Sequence, residues 1–158
     1  MFRYHPSKLP RNLLITAAIV AILAMSVSAV AAQSEFISKR SPHDFATTVA
    51  NVKKQIAANK LVLLKEYNVQ MMLKMVGVTS GRSVTMATFH PRYGKVIYEN
   101  DMSAAAAAPL RIVVQERDDG VIVGYVPASV VFASFDVPSS LTGELDTLLA
   151  SILEGATK

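Results

Sequence analysis

Among the side chains of this sequence, His90 is the one best suited to chemistry. It stands in Phe89-His90-Pro91-Arg92-Tyr93, where an imidazole that can donate, accept or ligate is followed by a permanent cation and a phenol. His90, Arg92 and Tyr93 together suit an anion, or His90 alone supplies one ligand to a metal or haem. Ligation needs further ligands at suitable spacing. The chain has three histidines, His5, His43 and His90, and no cysteine, so it holds no His-x-x-x-His pair and no Cys-x-x-Cys-His motif. A hydrogen-bonding histidine at a strand end is therefore the simpler reading of His90.

Met71, Met72, Met75 and Met86 suggest a second chemistry, a thioether site for copper(I). Met71 and Met75 share one face if their segment is helical, and with His90 they are the candidate metal ligands. Thioethers also fill irregular cores and dimer seams, and no histidine adjoins these, so packing takes precedence. Arg82, Arg92 and Arg111, with Glu66, Glu99 and Glu116, offer either a pocket for an anion on a partly uncovered sheet or surface charges that neutralise one another. The ligand-binding candidates are then His90, Arg92, Tyr93, Arg111 and Tyr125. An enzyme acting on a small anion through His90, Arg111 and Tyr125 is the least supported use of them. No catalytic residue is assigned: there is no Ser-His-Asp order and no phosphate loop, and Gly77, Gly81 and Gly120 lie too far apart for a dinucleotide fingerprint. No cofactor is expected.

These residues need elements to hold them, and Pro109 to Pro127 supplies the clearest. Leu110, Ile112 and Val114 fall on one face and Arg111, Gln115 and Arg117 on the other, the period-two pattern of a half-buried strand. Asp118-Asp119-Gly120 turns the chain, Val121 to Val126 returns it, and Pro127 stops it. Upstream, Ser41-Pro42-His43-Asp44 opens a helix with Phe45, Val49, Val52 and Ile56 on its buried face. Leu61 to Tyr67 and Ser83 to Phe89 read as strands. Between them Val69, Met72, Leu73 and Val76 mark the buried face of a short helix closed by Gly77. Arg92 to Asp101 is left without an assignment, and Met102 to Ala108 is helical by alanine propensity. Ala128 to Phe135 makes a helical turn or two, and Leu141, Leu145, Leu148, Leu149 and Ile152 define a last helix ending at Gly155. Helices interspersed with an antiparallel hairpin predict an α+β fold, a two-layer domain with a mainly antiparallel sheet packed by helices.

Leu13 to Ala32 is twenty residues without a charge, preceded by Arg3, Lys8 and Arg11. Such a stretch enters a membrane as a retained anchor or as the core of a cleaved signal, for which Ala29-Val30-Ala31 or Val30-Ala31-Ala32 would serve as the cleavage site. The expectation adopted is a retained anchor built on Leu13, Leu14, Ile15, Ile19, Val20, Ile22 and Leu23. Residues 1–12 then stay in the cytoplasm, and 33–40 form a polar linker. Residues 41–158 fold outside the bacterial inner membrane, in the periplasm. The formal charge of +4 reduces to +1 without the three leading bases, which leave 13 bases against 12 acids in the remainder. That remainder is not a nucleic-acid surface.

The order of landmarks from Ser41 to Gly155 resembles the DUF302 family, a domain of unknown function. Ser41 with Phe45, Phe89 with Pro91, Pro109-Leu110-Arg111 and Tyr125 with Pro127 carry the likeness. The resemblance implies an α+β fold and a tendency to form homodimers, with no established reaction. Some exported members place cysteines near the positions of His90 and Leu110, so any cysteine-based site there does not carry over. The function expected is a membrane-anchored periplasmic accessory domain, a non-catalytic subunit with protein partners in a membrane complex or a homodimer. The alternative is a secreted module that binds a ligand, metal or haem through His90.

Overall fold

The computed structural model describes residues 36–158; the expected anchor from Leu13 to Ala32 lies outside them. Among the described residues, no helix is long and apolar enough to cross a membrane. The chain runs β1 (Ile37–Ser41), α1 (Phe45–Ala58), β2 (Val62–Asn68), α2 (Val69–Met75), β3 (Ser83–Phe89) and α3 (Pro91–Asn100). A 3-10 helix (Met102–Ala106), β4 (Leu110–Arg117), β5 (Gly120–Tyr125), α4 (Ala128–Val131) and α5 (Ser139–Ala156) complete it.

The hairpin forms as its alternation requires. Ile112 and Val114 of β4 are buried while Arg111 and Arg117 are exposed. Arg117 pairs with Gly120 across the Asp118-Asp119 turn, and Gly120 has a φ of +127° that only glycine adopts freely. The sheet grows outward from it in the order β1-β5-β4-β3-β2, with every pairing antiparallel. Helices α1 and α5 cover one face, so Val52 and Ile56 meet Leu149 and Ile152 over Met86, Ile112, Val114 and Val123. This is the predicted α+β class, a mainly antiparallel sheet packed by helices, with the sheet found to have five strands, all antiparallel.

Four expectations change. Ile37–Ser41 is an edge strand and not part of a spacer: Ile37 lies opposite Tyr125 and Ser41 opposite Val121. Its sequence shows no alternation because the strand is largely exposed, with only Ser41 buried, so neither face requires a row of apolar residues. The first helix opens at Asp44, whose carboxylate accepts the amide of Thr47 at 2.8 Å, while Ser41 accepts the hydroxyl of Thr48 at 2.7 Å. The last helix continues through Gly155 to Ala156, since that glycine serves a close approach: a Cβ there would fall 2.4 Å from the Gln55 side chain. Finally, no residue of α2 is buried, although the spacing predicted an inward face. Helical periodicity identifies an apolar face but not what covers it, and α2 follows β2, the terminal strand of the sheet.

The unassigned segment is α3. With the 3-10 helix, α4 and the start of α5 it builds a second cluster of Tyr93, Ile97, Ala104, Ala128, Phe132, Leu141 and Leu145 beside the main core.

Candidate functional site

β3 delivers His90 to the start of α3, and Pro91 fits the first turn, where an amide hydrogen would have no partner. His90 caps that helix, its Nδ1 accepting the Arg92 amide at 3.1 Å. The simple reading of His90 as a hydrogen-bonding histidine thus has a definite form. Accepting through Nδ1 places the hydrogen of the neutral ring on Nε2. The ring lies 5.0 Å from that of Tyr93, centroid to centroid.

Tyr93 and Arg92 converge on Glu144 of α5. The guanidinium donates to both carboxylate oxygens at 2.9 and 3.0 Å, and the Tyr93 hydroxyl donates to one of them at 2.8 Å. Burial, then the hydrogen bond to the Glu144 carboxylate, pushes the Tyr93 phenol above its usual pKa, because both disfavour a tyrosinate. Glu144 was not among the sequence candidates. It sits 52 residues from Arg92, and nothing local marks it among the polar positions of an amphipathic helix.

Beneath His90 and Tyr93 lies a cavity of about 160 Å³. Phe89, Ile97, Phe132, Leu145 and Leu149 form much of its wall, and Ala105 and Ala108 contribute small side chains that leave it open. The alanine run, expected to be a packing device, therefore has one buried member, Ala104, and two that line a hollow. Thr88 also lines it, and its hydroxyl donates to the Leu110 carbonyl at 3.3 Å.

Arg111 and Tyr125 do not join this group. Tyr125 pairs in register with Ile112 and is buried against the helices, so strand alternation turns Arg111 to the opposite face. Burial, and then the charge of Asp146, raises the Tyr125 pKa. Both residues border a second hollow of about 220 Å³ that also touches Phe36, Val113 and Val131. The set His90, Arg111 and Tyr125 is thus not assembled around one point.

The metal candidates are separated as well. Met71 and Met75 are exposed on α2, which adjoins the Ser83 end of β3, and His90 follows the other end. Seven strand residues span roughly 20 Å. Among the described residues, no group of three histidines or carboxylates could hold a metal ion. Apart from Arg111, the charged set resolves into pairs: Arg82 with Glu116, Lys53 with Glu66, Lys95 with Glu99 and Arg92 with Glu144. The Arg82 guanidinium, donating from Nε at 2.8 Å, holds the Glu116 carboxyl down at about 2.

A family model described as "Domain of unknown function DUF302" matches residues 37–155. Among solved structures, the crystal structure of uncharacterized conserved protein DUF302 from Bacillus stearothermophilus is similar, with a TM-score of 0.72 at 13% identity. The match covers 78% of this chain and 98% of that one, and at this identity it speaks to the fold alone. None of the curated proteins matches the chain.

Proposed function

The chain belongs to the DUF302 family of domains of unknown function, and from that premise we propose that it is a membrane-anchored periplasmic interaction domain, a non-catalytic subunit that docks a protein partner in a membrane complex. One observation carries this reading. Of the thirteen large hydrophobic side chains exposed among the described residues, eight fall between Val62 and Val78. On α2 and just beyond it Met75 is 79% exposed and Val76 74%, an arrangement that solitary soluble domains rarely tolerate and that interaction sites use. Methionine suits such a surface because its flexible thioether repacks against whatever it meets.

The mode of contact follows from the neighbouring strand. β2 ends the sheet, yet a bulge between Leu63 and Lys65 and the charge of Lys65 discourage another strand from adding there. Contact then falls on the side chains of α2, with Met71, Met72 and Met75 entering an apolar groove of the partner. Arg3, Lys8 and Arg11 ahead of the charge-free run from Leu13 to Ala32 support the membrane placement.

The test is extraction of the full chain from membranes in mild detergent, with intact-mass measurement. We expect the full-length mass and co-purification with a partner that the Met75→Glu, Val76→Glu double variant loses while its melting temperature stays unchanged. A chain released without its first segment overturns the anchor. A double variant that keeps its partner overturns the docking surface.

A further inference from the structure

We infer that the cavity under α3 is a binding site for a small uncharged aromatic molecule carrying one hydrogen-bond acceptor. It lies apart from the α2 surface and stands or falls independently of it.

Size comes first. A dry apolar cavity of about 150 Å³ takes up a single benzene ring, and this one measures about 160 Å³. Its wall favours a ring over an alkyl chain, because Phe89, Tyr93, Tyr98 and Phe132 all line it together with the His90 imidazole, and aromatic faces and edges attract one another. Tyr98 is both part of the wall and largely exposed, so it stands at the rim where a ligand enters.

Polarity comes second. The Thr88 hydroxyl already donates to the Leu110 carbonyl and the Tyr93 hydroxyl to Glu144. His90 uses Nδ1 as an acceptor for the Arg92 amide, so Nε2–H is the ring's remaining donor, and with the Tyr98 hydroxyl at the rim it is what the wall can offer to a ligand's acceptor. Charge comes third. Arg92 is neutralised by Glu144 and Lys95 by Glu99, which leaves α3 without the unpaired cation that would draw an anion to the rim.

Fluorine NMR on the full chain in lipid nanodiscs, with empty nanodiscs as reference, tests this using para-fluoroacetophenone, para-fluorotoluene and para-fluorobenzoate. The ketone and the toluene are expected to bind saturably and the benzoate not at all. His90→Asn keeps a side chain able to cap the helix and draws the donor back from the Nε2 position to an amide nearer the backbone, so the ketone should weaken by about tenfold, the loss of one hydrogen bond, with the toluene unaffected. Leu148→Phe fills the cavity and should abolish both; Ala105→Leu repeats that test from another part of the wall. No saturable binding of either neutral probe, undiminished binding to the filled variants, or preference for the benzoate overturns the proposal. Equal ketone affinity in His90→Asn overturns the donor role of His90.

Discussion

Glu144 accepts from Arg92 and from Tyr93, the latter a residue of the cavity wall. Removing its charge as Glu144→Gln should let the Tyr93 pKa fall towards the ordinary phenol range without reaching it, since burial is the larger cause of the rise. Ultraviolet titration of tyrosinate, with Tyr93→Phe to identify the signal, measures this; a higher pKa in the variant would contradict it. Glu116 behaves in the opposite sense. Its carboxyl titrates near 2 because Arg82 favours the anion, so the pair contributes stability that is present above the ordinary carboxylate range and is lost as pH falls towards 2. Asp44, held low by the Thr47 amide, and Glu154, held low by Lys39, add in the same direction. Melting temperature should therefore decline on acidification, and Glu116→Gln should show a shallower decline. At this scale His90 was legible from its place before Pro91 at a strand end, whereas Glu144 was not, because its partners are 51 and 52 residues away.

Elements explain why two glycines in helices respond differently to one substitution. In α3, a Cβ on Gly94 would stand 2.5 Å from the Phe89 ring, a rigid group packed at the cavity wall. Gly94→Ala should therefore destabilise the domain by about 1–3 kcal/mol, the overpacking outweighing the better helix propensity. In α5, a Cβ on Gly143 would meet nothing within 4 Å, so Gly143→Ala should stabilise by about 0.5–1 kcal/mol. Urea denaturation of both variants checks the contrast, and equal shifts would refute it. Most elements were legible from periodicity and punctuation: the hairpin, α1, α5 and the strands around Thr88. The two poorly foreseen segments are those whose partners are remote. β1 has no alternation of its own, and in α3 Tyr93, Val96 and Ile97 at helical spacing compete with the strand-like alternation of Val96 and Tyr98, a tie broken by packing against α5 and the 3-10 helix.

For the whole molecule, burial separates apolar residues that look alike in sequence. Ile152 is fully buried where α1, α5 and the sheet meet, and Ile152→Ala should cost about 2–5 kcal/mol. Met75 is almost free of contact, and Met75→Ala should change stability by less than about 0.5 kcal/mol. Chemical denaturation curves measure both, and a large loss at Met75 would place it in a core that the structure does not show. Read alone, the sequence was enough for the α+β class, the hairpin, the helix faces of α1 and α5 and the family, because alternation, turn residues and helical spacing are local and survive in one dimension. Tertiary structure alone decided which apolar faces are covered, which strand pairs with β1, and which polar residues meet. It set Arg111 and Tyr125 beside a hollow apart from His90, put His90 and Met75 at opposite ends of β3, and brought Glu144 to Tyr93. Those outcomes depend on sheet order and helix packing, and side chains distant along the chain have no local pattern that encodes their meeting.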